Sequence, residues 1–157
     1  MLSLRLSAPE DLPAILTCAR GVGVFSDEEV ATVEELFEGY LKDPVKSGYN
    51  FISCYAAESL VGFACWGPTA LSKGAADLYW ICAAREVQKQ GVASALLRAV
   101  EEAARSAGRW LIVIWTSNRP EYAPARNFYQ RQGCELKIQL TDFYDRGEDL
   151  CVFVKNI

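Results

Sequence analysis

The stretch VQKQGVASALL, residues 87–97, holds one glycine at a change of pattern. Everything from Leu78 to Val87 reads as strand, whereas Val92, Leu96 and Val100 recur at helical spacing, so Gly91 stands where a strand hands over to a helix. Such a junction leaves backbone N–H groups unpaired and carries a partial positive charge, and a glycine there lets an anionic phosphate come close. The pattern is Gln88-x-x-Gly91-x-Ala93, a long donor followed by small residues at both close-approach positions. On its own it reads equally well as a helix start with a packing glycine. A P-loop is excluded, because Gly91 is followed by Val92, Ala93 and Ser94 where that loop needs Gly-Lys-Ser/Thr. A dinucleotide fingerprint fails too, with one glycine where three are required. The G-V-G at 21–23 follows a helix and is a stop signal.

What is missing narrows the chemistry further. The chain of 157 residues has no histidine, which removes the commonest general base and the commonest metal ligand and excludes Ser-His-Asp and Cys-His hydrolases. Cys18, Cys54, Cys65, Cys82, Cys134 and Cys151 are scattered, form no C-x-x-C pair and sit mostly in apolar segments, so they read as reduced core residues, with neither metal nor disulfide expected. A net charge of −4 without a basic run argues against nucleic acid and fits a cationic or amine-bearing partner better. No apolar run approaches the roughly 18 residues of a membrane span, and MLSLRLSAPEDLP has no signal-peptide core, so no membrane partner and a cytoplasmic location are expected.

The elements that must position the junction follow from periodicity. LSLRLS is a first strand, and a helix begins near Pro9–Asp11 and stops at Gly21 and Gly23. Ser26 and Glu29 form a capping-box pattern for a second helix with an apolar stripe of Val30, Val33, Leu36, Phe37 and Tyr40, ending near Pro44. NFISCYAAES and LVGFACWG read as a hairpin. DLYWICAA and RWLIVIWTSN, apolar on both alternations, read as central strands covered on both sides. Between them lies a third helix over 91–107. A fourth helix around ARNFYQRQ stops at Gly133, and CELKIQLTDF and DLCVFVK are joined across DRGE. The order β-α-α-β-β-β-α-β-α-β-β predicts one α/β (α+β) domain over residues 1–157. Its sheet is mixed and mostly antiparallel, with about seven strands, a central parallel pair from the βαβ unit at 78–116, and about four flanking helices.

The run LYWICAAREVQKQGVASALLRAVEEAARSAG, the apolar strand after it and then ARNFYQRQGCEL resemble the GNAT superfamily of acyl-CoA-dependent N-acetyltransferases over nearly the whole chain. Ala125, Phe128, Tyr129 and Gly133 match the family's second signature, in the right order after the first. The resemblance implies acetyl-CoA as co-substrate. Gln88 and the amides of Lys89, Gln90, Gly91, Val92, Ala93 and Ser94 would hold the pyrophosphate, Ile81, Cys82 and Ala83 would pair with the pantetheine arm, and Asn118, Ala125 and Phe128 would add contacts. It also implies that the Ala83 N–H faces the thioester oxygen, which gathers negative charge as an amine attacks. Tyr129 takes the place of the tyrosine that protonates the departing thiolate, and a phenol with a pKa near ~10 holds its proton at neutral pH. The chain departs from the family at Lys89, often a glycine, at Tyr122, often an asparagine, and at Cys134, often an aromatic.

Several readings stay open at this level. Tyr129 reads as general acid or as core aromatic. Glu28, Glu29, Asp77 and Asp142 are candidate bases, and each also reads as a solvated charge or a cap. TDFYDRGED is a hairpin turn that could also line an acceptor pocket. The expected activity is acetyl transfer to a primary amine of a small molecule or peptide. Set beside it are a non-catalytic acyl-CoA sensor and, third, an interaction module using Trp66, Trp80, Trp110 and Trp115, which fall mostly on strands expected to be buried. A homodimer is left open.

Overall fold

The computed structural model describes residues 1–157. The chain runs β1 (Leu2–Leu6), α1 (Leu12–Gly21), α2 (Asp27–Lys42), one-turn α3 (Pro44–Ser47), β2 (Asn50–Ala56), β3 (Ser59–Pro68), β4 (Ala75–Ala83), α4 (Val92–Ser106), β5 (Leu111–Ser117), α5 (Ala123–Arg131), β6 (Glu135–Asp145) and β7 (Glu148–Asn156). Short 3-10 turns at Pro9–Asp11, Arg85–Val87 and Pro120–Tyr122 precede α1, α4 and α5. All seven strands form one sheet in the order β1-β2-β3-β4-β5-β7-β6, with β4 and β5 its one parallel pair. This is the expected mixed sheet, with one helix more than expected because Asp43 caps a separate turn by accepting from the N–H groups of Val45 and Lys46.

α2 begins as its sequence predicts. The Ser26 hydroxyl accepts from the Glu29 N–H at 3.2 Å, and the Glu29 carboxylate accepts from the Ser26 N–H at 2.7 Å. Its Val30, Val33 and Phe37 are buried with Ile15 and Ala19 of α1 against Phe51, Phe63 and Cys65 of the sheet. On the opposite face α4 buries Val92, Leu96, Leu97, Val100 and Ala104 against Ile52, Ala64, Leu78, Ile112 and Ile114. Gly62 lets α4 press so close, since a Cβ there would stand 2.7 Å from both Val92 Cγ1 and the Cys82 carbonyl oxygen.

Three expectations need correction. The strand read as far as Val87 ends at Ala83, because the chain tightens into a 3-10 turn in which the Val87 N–H donates to the Ala84 carbonyl. The central strands are not covered on both sides: Tyr79 of β4 is 41% exposed and Trp115 of β5 57%. α1 and α2 pack mainly on β2, β3 and β4, which leaves Trp115 on the β5 side of that face open to solvent. The tryptophans divide as well: Trp66 is buried, and Trp110, just before β5, is exposed along with Trp115.

The site is shaped by where β4 and β5 part. They pair from Ala75–Leu78 against Leu111–Ile114 and no further, although β4 continues to Ala83 and β5 to Ser117. Beyond Leu78 the sheet opens into a gap.

Candidate active site

A groove of about 600 Å³ opens on this gap. Its walls come from the α1–α2 loop (Val22 to Phe25), the end of β4, the first turn of α4, and α5 with the residues just before it. Of the residues singled out from sequence, Ile81, Cys82, Ala83, Gln88, Lys89, Gly91, Val92, Ala93, Ser94, Ala125, Phe128 and Tyr129 line it. Two do not. Asn118 is occupied holding β5 to β7, its amide oxygen accepting from the Asp149 N–H at 2.8 Å and its own N–H donating to the Asp149 carbonyl at 3.1 Å. Gln90 turns its side chain back to the Glu86 carbonyl, and its N–H donates to the Val87 carbonyl at 3.1 Å, so that amide is not free.

The α4 end of the groove is a set of unpartnered donors. The first helical bond runs from the Ala95 N–H to the Gly91 carbonyl at 2.9 Å. The N–H groups of Val92, Ala93 and Ser94 precede it and meet no acceptor within the chain. Gly91 itself is left-handed at φ 83°, and no atom lies within 4 Å of where its Cβ would be, so the glycine serves the backbone turn and an open approach. Lys89, also left-handed at φ 69°, adds a cation on the same wall.

The β4 edge supplies further backbone groups. Ala84 N–H donates to the Val61 carbonyl at 2.8 Å, which makes Ala84 and Cys82 the residues bonded to β3. By the alternation of an antiparallel ladder, Ile81 and Ala83 point their N–H and C=O groups away from β3. β5 has already parted, so these groups face the gap.

Tyr129 stands between these features. It is 7% exposed, and its ring packs between Phe128 and Phe153 at centroid distances of 5.6 and 5.7 Å. The hydroxyl has no partner in the chain and is not sealed from the groove. Burial first, and then the neighbouring Cys82 and Cys134, push its phenol well above the usual range, so it holds its proton. Its ring is therefore core and its hydroxyl is free.

Sequence reasoning missed the contacts that only the fold makes. Tyr122, just before α5, lines the groove and donates from its hydroxyl to Glu29 Oε1 at 3.4 Å. Glu29 is thus the one candidate base held beside the groove. Glu28 is exposed on α2, Asp77 lies near the Tyr79 hydroxyl on β4, and Asp142 accepts from the Gly147 N–H within the β6–β7 hairpin. The capping-box signal in SDEE marked Glu29, but nothing local marked its partner. All six cysteines are buried and unpaired, and burial drives the Cys18 thiol up to about 11. No group of three or more His, Cys, Asp or Glu side chains is arranged to hold a metal, and no helix is long and apolar enough to cross a membrane.

Residues 47–134 match the family model of the acetyltransferase (GNAT) domain. Among solved structures, one from Desulfovibrio desulfuricans, described as an acetyltransferase of the GNAT family, superposes with a TM-score of 0.95 at 32% identity over 99% of each chain. PaiA N-acetyltransferase from Thermoplasma acidophilum, solved in complex with coenzyme A, gives 0.78 at 18% identity, covering 100% of this chain and 99% of its own. The ribosomal-protein-S18-alanine N-acetyltransferase of Escherichia coli gives 0.78 at 19%, covering 100% of this chain and 94% of its own. No curated protein matches the sequence.

Proposed function

Because the chain belongs to the GNAT acetyltransferase family, we propose that it moves an acetyl group from acetyl-CoA to a primary amine by direct attack on the thioester. One observation carries this reading: unpartnered N–H groups, a free strand edge and an unpartnered, protonated phenol open on the same groove. Acetyl-CoA supplies the activated acyl group. The amides of Val92, Ala93 and Ser94 at the positive end of α4 suit its pyrophosphate. Gly91 leaves room for that approach, and the edge of β4 at Ile81 and Ala83 suits the amides of the pantetheine arm.

In the transfer itself, a bond forms between the amine nitrogen and the acyl carbon, the carbon–sulfur bond breaks, and the proton that the amine nitrogen loses passes to solvent water, which returns one to Tyr129. The Ala83 N–H donates to the carbonyl oxygen as negative charge collects on it. Tyr129 gives its proton to the departing sulfur, and its raised pKa keeps that proton available across the neutral range. A protein that only sensed acyl-CoA has no use for an unpartnered phenol at this point, which favours transfer over sensing. The test is thiol release from acetyl-CoA across a panel of primary amines, with coenzyme A binding measured separately by calorimetry. Binding with amine-dependent thiol release is expected. Binding without release from any amine leaves the sensor, and no binding overturns both.

A further inference from the structure

The groove is electrically polarised along α5. At the C-terminal end of that helix, Arg131 shares the groove wall with Lys89 and the free amides of α4, and Gln132 donates to the Ser94 hydroxyl at 3.0 Å. Nine helical residues, about 13 Å, separate that end from the other. There the wall is Glu121 and Tyr122, immediately past the end of β5 at the open gap.

Beside Glu121, two further elements bring carboxylates to this second end. Glu29 comes from the first turn of α2 and accepts from the Tyr122 hydroxyl. Glu148 and Tyr144 come from the β6–β7 hairpin. The Tyr122 phenol is pushed up to about 12, by burial first and then by Glu29 and Glu148, and Tyr144 is raised by burial and then by Glu148, Cys151 and Glu29. One nearby cation, Arg119, is paired with this end's own acids, and Arg85, which also lines the groove, holds its guanidinium beside Gly23 of the α1–α2 loop. Arg119 lies 3.1 Å from Glu121 and 3.9 Å from Glu148, and Arg126 donates to the carbonyls of Ser117 and Arg119. Between the two ends, the buried Tyr129 hydroxyl opens on the groove without a partner.

The Tyr122 hydroxyl has one proton and gives it to Glu29, so a lone pair is left to accept from an N–H donor in the groove. An ammonium ion satisfies that lone pair and the field of Glu29, which has no cationic partner in the chain, whereas Glu148 is already paired with Arg119. A carboxylate carried by the same acceptor meets repulsion from Glu29. We infer that Glu29, positioned by Tyr122, selects the acceptor by charge: cationic amines that bear no carboxylate, such as diamines or lysine side chains within peptides, are taken in preference to amines that carry one. This rests on the acetyltransferase reading for its purpose, but the binding preference is measurable without transfer.

The matched probes are 1,5-diaminopentane and 6-aminohexanoate, which share a five-methylene chain and an ammonium group and differ in the far charge. Each is titrated into protein saturated with coenzyme A and followed by NMR. The diamine should bind roughly tenfold more tightly, the scale of a reversed charge near a partly buried carboxylate. Glu29→Gln keeps the α2 cap, since its amide oxygen still accepts from the Ser26 N–H, and should narrow the ratio to within about threefold. Tyr122→Phe should narrow it in the same direction. Equal binding of the two probes, no binding of the diamine, or an unchanged ratio in Glu29→Gln overturns the inference. A parallel assay with acetyl-CoA separates the two readings: a preserved binding preference without acetylation of either probe or of any other amine would count against transfer and leave the charge selection standing.

Discussion

Gln132, at the end of α5, donates from its side-chain amide to the hydroxyl of Ser94 in the first turn of α4, at 3.0 Å. This bond ties the helix carrying Tyr129 to the helix whose free amides face the groove, so it sets the distance between the two halves of the site. Gln132→Ala should lower coenzyme A affinity about three- to tenfold by calorimetry while costing about 1 kcal/mol of stability, the worth of one partly buried hydrogen bond. Unchanged affinity would show that α5 keeps its place without this tie.

Gly91→Glu introduces two effects that can be separated. The left-handed backbone at φ 83° makes any side chain there cost about 1 kcal/mol, yet the space beside it is empty, so the variant should fold. Its carboxylate would then stand beside the amides of Val92, Ala93 and Ser94, and coenzyme A affinity should fall at least about a hundredfold, two such 1.4 kcal/mol steps. Gly91→Asn, which tolerates the left-handed region, should fold with less strain and lose far less affinity. Calorimetry on the two variants decides whether charge or strain dominates. Equal losses would point to strain.

The parts of this site that were legible in sequence are those that one segment makes alone. The Gly91 junction, the α2 capping box at Ser26 and Glu29, and the buried faces of α2 and α4 all follow from local periodicity and hydrogen bonding. The gap between β4 and β5 was not legible, because Ile81 and Ala83 have the same apolar neighbours whether or not a strand lies beside them. Nor was the partial covering of the sheet: Trp115 sits in a run patterned as fully buried, and only the placement of α1 and α2 over the other half of that face exposes it. The Tyr122–Glu29 contact joins residues 93 positions apart. No local pattern encodes such a pair.

Asp11 provides a pH-dependent prediction outside the groove. Its carboxylate, 1% exposed, accepts from Arg5 at 2.8 and 2.9 Å, from the Ala8 N–H, from Ser53 and from Tyr55, fastening the turn before α1 to β1 and β2. Burial alone raises its pKa, but the hydrogen bonds from Tyr55, Ala8, Arg5 and Ser53 outweigh burial and hold it below the usual carboxylate range. A lowered folded pKa means the native state binds the proton less readily than the unfolded chain. The stabilisation is therefore fully present above the unfolded value of about 3.9 and is lost as pH falls through the folded value. Asp11→Asn should cost about 3 kcal/mol at pH 7, and the difference from wild type should shrink below pH ~4. Denaturant titrations at the two pH values check the sign, and a difference that grows on acidification contradicts it.

Tyr129 separates packing from chemistry more cleanly than any other residue in the groove. Tyr129→Phe preserves the ring contacts with Phe128 and Phe153 and removes a hydroxyl that has no partner in the chain. Stability should therefore change by less than about 0.5 kcal/mol, since no hydrogen bond within the fold is lost. Coenzyme A affinity should also change little, while turnover of an acetylated amine should fall roughly 10² to 10⁴-fold, the usual worth of a positioned acid. The raised phenol pKa adds a second mark: titration of Tyr129 should contribute no fall in wild-type activity on the alkaline side up to pH ~10, because a phenol held above its ordinary value stays protonated there. A loss of affinity without loss of turnover would make the hydroxyl a binding contact. Turnover within about threefold of wild type, with chemistry rate-limiting, would show that water protonates the departing sulfur and that Tyr129 serves the core alone.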